Sequence, residues 1–207
     1  MVAQDRIRVV TSPVRQGRYA YRFEVHQGDS PPNSNSSNDR AELGQGNPGN
    51  GPRINEGSEQ WYGMSYYFDQ SFPKATWQTV AQWKQMGSNP PPAEISVNND
   101  VIALEMGGTH GDREKLYRAP LTRGVWNDFV MHVKWSADPN VGFVEFWHNG
   151  RQVVRKTSIQ NMYRDESGKV IQNHSRIGYY RDQSITQSGV LYIDAYRVGT
   201  SYAAVAP

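Results

Sequence analysis

Residues 126–154, WNDFVMHVKWSADPNVGFVEFWHNGRQVV, alternate apolar and polar side chains at every second position over two runs. A period of two is the repeat of a half-buried β-strand, and it cannot sit on one face of a helix. In the first run Phe129, Met131, Val133 and Trp135 share one face, and Asp128, Val130, His132 and Lys134 the other. In the second, Val144, Phe146 and His148 oppose Glu145 and Trp147, and Asn149-Gly150 supplies the residues that a tight hairpin turn demands. The polar faces meet solvent or line a groove. Similar runs recur at 18–25, 61–68, 79–85, 101–107, 176–181 and 189–198, separated by turn-forming residues. No stretch suits a major helix, and no repeat recurs at a fixed period. The chain is therefore expected to be all-β, two antiparallel sheets in a sandwich rather than a propeller or solenoid.

At 207 residues, one domain spanning 1–207 is expected. Aromatic residues make up 12%, with 6 Trp and 12 Tyr, an excess that hints at flat ligands such as sugars, although large β cores also use aromatics. A net charge of +2, with no basic run and no recognition motif, argues against a nucleic-acid partner. The absence of cysteine excludes disulfides and thiolate metal sites without fixing the compartment. No segment approaches the roughly 20 apolar residues that cross a bilayer, so no membrane partner is expected. The start, MVAQDRIRVV, lacks a signal-peptide core, which suits a secreted protein without its leader and a cytoplasmic one alike; a secreted protein, acting as a monomer, is the expectation. Residues 28–57 and 87–93 are crowded with Pro, Asn, Ser and Gly and read as long loops at sheet edges.

Several stretches together resemble a known family. RYAYRFEV, DRAEL, AQWKQ, the 126–153 block, RIGYYR and LYIDAYRVG are similar, in that order, to polysaccharide lyases of the heparin lyase I and glucuronan lyase type. Alginate lyases of similar fold share the arginine–glutamate, glutamine and G-x-Y elements. The resemblance implies a β-jelly roll whose concave sheet holds an acidic polysaccharide and which needs no cofactor for its chemistry.

That chemistry can be set against residue types. A lyase removes the proton at C5 of a uronate, next to the carboxylate, and expels the 4-linked oxygen. The carboxylate charge must be neutralised, a base must take the proton, and an acid must protonate the leaving oxygen. Arg offers a planar fork for a carboxylate and Gln an amide donor, and by resemblance Arg40 and Gln82 match the family's carboxylate-binding residues. Glu42, on the face of Arg40, is placed to orient it. Tyr180 matches the catalytic tyrosine of G-x-Y-R, whereas Tyr179 is expected to point the opposite way, into the packing. A phenol of ordinary pKa costs about 4 kcal/mol to ionise at neutral pH, and nearby cations lower that cost. Arg176 on the same face, with Lys84 and Arg40 from neighbouring strands, are the candidates.

One position departs from the family. Related lyases often carry Q-x-H, but Gln82-Trp83-Lys84 puts lysine there. An unperturbed lysine is protonated and cannot be a base near pH 7. A single tyrosine acting as base and acid needs the C5 proton and the leaving oxygen on one side of the ring, which favours a glucuronan-like or mannuronate-rich polymer. His110 or His174 entering from elsewhere would restore a two-residue mechanism. His132, Lys134 and Trp147 are further substrate-binding candidates. Glu24 and Asp194, on the predicted first and last strands, are candidates for a shared structural calcium. A hydrolase of similar fold would need a carboxylate pair, commonly an E-x-D-x-E-like run, which is absent; a non-catalytic carbohydrate-binding module would not require Arg40, Gln82 and Tyr180 together.

Overall fold

The computed structural model describes residues 5–30, 38–44, 53–85, 89–107 and 113–207. Among these, the two-residue alternation becomes thirteen strands. The first seven are β1 (Ile7–Val10), β2 (Ala20–Val25), β3 (Asp39–Gly44), β4 (Glu59–Phe68), β5 (Gln78–Gln85), β6 (Ala93–Asn98) and β7 (Val101–Met106). The remainder are β8 (Glu114–Pro120), β9 (Trp126–Lys134), β10 (Phe143–His148), β11 (Arg151–Ser158), β12 (Asn173–Arg181) and β13 (Gly189–Gly199), followed by one turn of helix, α1 (Tyr202–Val205). All pairings are antiparallel, in sheets of order β1-β2-β13-β4-β9-β10-β11 and β3-β12-β5-β6-β7-β8.

Each sheet gives one set of alternate side chains to a shared core. Phe129, Met131 and Val133 of β9 and Tyr62, Met64 and Tyr66 of β4 face Trp83, Ile95, Val97, Leu104 and Tyr179 of the six-stranded sheet. The β10–β11 hairpin closes through Asn149 and Gly150 at φ 49° and 77°, and both central residues at positive φ match the twist of the flanking strands. The helix α1 lies on the outer face of the seven-stranded sheet, with Val205 buried over Gly63, where a Cβ would stand 1.9 Å from the Val205 carbonyl oxygen. The outer face of the six-stranded sheet carries Arg40, Gln82 and Tyr180 and is the face to examine for a site.

Residues 39–44, read from sequence as part of a long loop, form the edge strand β3. The run is short and rich in charge, yet its first residue is anchored: the Asp39 carboxylate accepts the Gly28 N–H at 3.0 Å and the Ser30 hydroxyl at 3.3 Å. Among the described residues no helix is long and apolar enough to cross a membrane.

Candidate active site

Strand β12 sets the site, because its alternation sends two adjacent phenols in opposite directions. Tyr179 is fully buried and donates its hydroxyl to Gln78 Oε1 at 2.5 Å. Tyr180 is half-buried on the outer face, opposite Arg40 of β3 and Thr79 of β5. Between them and Ile177, Gly178 has φ +145° and approaches β3 so closely that a Cβ would lie 2.3 Å from the Ala41 carbonyl oxygen. A side chain there would push the edge strand away, which is the local reason for the glycine in G-x-Y-R.

Around Tyr180 the same face gathers cations and amides. The Arg40 guanidinium lies over the Tyr180 ring, 4.1 Å from its centroid, and Trp77 packs edge-on against the ring at 4.6 Å. Glu42 is the hub: Gln82 Nε2 donates to its Oε1 at 2.5 Å, and Arg40 and Arg176 stand 3.9 and 4.0 Å from its Oε2. Burial raises the Glu42 carboxyl above its ordinary value against the pull of these partners. Glu42 thus orients Gln82 as well as the arginines. Among the described residues the buried Arg40 Nε–H has no acceptor, so it is a donor that a substrate carboxylate can satisfy.

Lys84 and His174 sit opposite each other on β5 and β12. Burial, then the guanidinium groups of Arg176 and Arg40, push the Lys84 ammonium down to about 8, while its Nζ donates to the Asn89 carbonyl at 2.6 Å. His174 Nε2 faces the Arg176 Nε–H at 3.1 Å, so Nε2 is the acceptor and Nδ1 carries the hydrogen. Burial, with Arg176 next, lowers the His174 pKa to about 4. His174 therefore reaches the site as a neutral donor whose basic nitrogen is already engaged. His110 lies outside the described residues.

Beyond Gln82 the face continues into a pair that sequence reading missed. Glu94 and Glu105 are cross-strand partners on β6 and β7. Arg113 bridges them at 2.7 and 3.7 Å, Thr79 bonds Glu94 at 3.3 Å, and Ser96 and Lys115 bond Glu105 at 2.6 and 3.1 Å. Burial pushes the Glu94 carboxyl up to about 7, with Arg113 opposing. The folded protein then holds a proton that the unfolded chain has released between about pH 4.5 and 7, and this contribution to stability is lost as pH rises through that window. In Glu94→Gln, whose amide does not titrate, the difference in unfolding free energy from wild type should change by on the order of 2–3 kcal/mol in the variant's favour between about pH 4.5 and 8. A difference independent of pH in denaturant titrations would contradict the assignment.

A family model described as polysaccharide lyase matches residues 1–197. The chain belongs to the polysaccharide lyase family. The lyase shares its fold with an endo-β-1,4-glucuronan lyase from the fungus Trichoderma reesei, at TM-score 0.75 and 18% identity over 97% of this chain and 89% of that one. It also superposes on the family 7 alginate lyase A1-II′ in complex with the substrate GGMG, at TM-score 0.70 and 16% identity over 92% and 80% of the two chains. A GH131 β-glucanase catalytic domain from Podospora anserina follows at TM-score 0.65 and 13% identity, covering 97% and 81%. No curated protein matches. The two antiparallel sheets are thus a β-jelly roll.

Four residues considered for substrate binding or calcium fall elsewhere in the lyase, and Lys134 joins them. His132, Lys134 and Trp147 lie on β9 and β10 of the seven-stranded sheet, whose outer face is on the far side of the core from Tyr180. Their polar alternation faces outward, as predicted, but away from the site. His132 is held between Glu145 at 2.7 Å and Glu59 at 2.9 Å and stacks on Trp61 at 3.9 Å; Trp147 packs against Trp61 and Tyr202. Glu24 and Asp194 do not form a shared calcium site, although β2 and β13 pair. Glu24 stands opposite Val190 and is bonded by Arg22 at 2.7 Å and His26 at 2.9 Å, which hold its carboxyl down at about 2. Asp194 accepts the backbone N–H groups of Arg15, Gln16 and Ala195 at 2.8, 2.9 and 2.6 Å. Among the described residues no three His, Cys, Asp or Glu side chains gather as metal ligands.

Proposed function

We propose that the lyase cleaves a uronic-acid-containing polysaccharide, glucuronan-like or mannuronate-rich, by β-elimination. The observation that carries this reading is the meeting of Tyr180, Arg40 and Gln82 around Glu42 on one sheet face. Arg40 and the second N–H of Gln82 take the uronate carboxylate, with positive charge from Lys84 and Arg176 beside them. Tyr180 Oη, ionised, accepts the C5 proton; the C5–H electron pair becomes the C4–C5 double bond as the C4–O bond breaks. The same oxygen then returns that proton to the departing sugar. Because His174 is neutral and its Nε2 is bonded to Arg176, no histidine among the described residues of this face stands ready as a second base, and one phenol serving both steps requires proton and leaving oxygen on one side of the ring. D-glucuronate and D-mannuronate meet that demand and their C5 epimers do not. Polymers of this kind lie outside cells, and the enzyme acts there.

The test is a screen of glucuronan, mannuronate- and guluronate-rich alginate, heparin and hyaluronan, followed by the ultraviolet absorbance of the unsaturated product. Absorbance should rise with glucuronan or mannuronate blocks. Hydrolysis is the second reading, favoured by the Glu94–Glu105 pair; it would release reducing ends with no absorbance, and a binding module would release neither.

A further inference from the structure

The reacting oxygen assigned above is held from a direction that the carboxylate clamp does not explain. Asn38, two residues before Arg40, aims its amide Nδ2 at Tyr180 Oη from 3.3 Å. Its Oδ1 accepts the Gln183 backbone N–H at 3.3 Å. A backbone N–H only donates, so this contact fixes which end of the amide is oxygen and turns the NH2 toward the phenol. Arg40 covers the face of the Tyr180 ring and Trp77 abuts it edge-on, which fix the ring plane. Asn38 acts on the oxygen itself.

We propose that Asn38 is a positioning residue of the elimination: its amide donates to Tyr180 Oη, aims a remaining lone pair at the sugar C5, and supports the negative charge Oη carries before it takes the proton. The inference rests on the eliminative reading of Tyr180. A hydrogen bond to the charged form of an acceptor is stronger than one to its neutral form, so the amide favours the proton-accepting state and is relaxed once the proton has arrived. Among the described residues the other charged groups of this face include Arg40 and Glu42 on β3, Lys84 on β5, Arg176 on β12, Glu94 on β6 behind Thr79, and beyond it Glu105, Arg113 and Lys115. All are retained when Asn38 is changed, and they cancel in the comparison.

The experiment measures kcat/KM against pH on glucuronan, or on whichever screened polymer is degraded fastest, for wild type, Asn38→Ala and Asn38→Asp, with Tyr180→Phe alongside. Asn38→Ala should lower kcat/KM about ten- to a hundredfold and move the acidic limb to higher pH, the scale of one lost charge-assisted hydrogen bond. Asn38→Asp should move the limb further, because a carboxylate repels the charge that the amide supports. Unmoved limbs in both variants would overturn the proposal, since a merely structural residue lowers activity without displacing the profile. If Asn38→Ala melts below the assay temperature, the isosteric Asn38→Asp decides alone. An active Tyr180→Phe would instead overturn the eliminative reading, whereas an inactive Tyr180→Phe beside a normal Asn38→Ala would remove Asn38 only.

Discussion

Tyr180→Phe is expected to lower turnover by about 10³-fold or more while leaving the fold in place. One oxygen is assigned to both proton transfers, and a positioned acid or base is worth about 10²–10⁴ in rate. Removing Oη leaves the packing nearly untouched: the ring keeps Trp77 at its edge and Arg40 over its face, and it loses the 3.3 Å contact with Asn38. The half-buried position limits the stability change to about 1 kcal/mol. Tyr179→Phe is the matched opposite. Its hydroxyl is buried and bonded to Gln78, so the substitution strands that acceptor and costs about 1–3 kcal/mol of stability, with turnover of the folded protein retained. Absorbance assays paired with thermal melts on the two variants give the contrast. An active Tyr180→Phe, or a dead but stable Tyr179→Phe, would reverse the assignment of the two phenols.

The opposite placement of these neighbours was legible because strand alternation is local. So were the two faces of β9 and the Asn149-Gly150 turn. Which sheet a strand joins is not local. The alternation of Asp128, His132 and Lys134 marks an outward face but carries no word on which side of the sandwich that face lies, and pairing with β4 and β10 puts it opposite the site. The Glu94–Glu105 pair arises from the register of β6 on β7, and β6 escaped notice because Glu94 and Ser96 are buried polar residues on the face where solvent-exposed ones are expected. Trp77, Asn38 and Arg113 precede their strands, where no periodicity constrains a side chain. Their roles depend on where neighbouring strands end.

Arg181→Met should destabilise the protein by about 3–5 kcal/mol, lowering Tm by roughly 10 °C, as expected when one member of a buried ion pair is lost from a chain of this size. Arg181 and Asp39 are both completely buried; the guanidinium Nη2 lies 3.7 Å from the carboxylate, and Nη1 donates to the Gln187 carbonyl. Burial raises the Asp39 carboxyl and Arg181 opposes this, so removing the arginine strands an acid that favours its neutral form. The pair joins the end of β12 to the start of edge strand β3, one residue from Arg40, and the arginine of G-x-Y-R is therefore a staple behind the site rather than a charge within it. Asp39→Asn takes the carboxylate from a buried guanidinium that keeps the Gln187 carbonyl and the Tyr179 ring, and should be costly too. The double variant, stranding neither charge, should cost less than the sum of the singles in denaturant titrations. Activity should fall in parallel with stability, because a frayed β3 carries Arg40 and Glu42 away from Tyr180. Full additivity, or an Arg181→Met within about 1 kcal/mol of wild type, would show that the ion pair does not hold β3 in place.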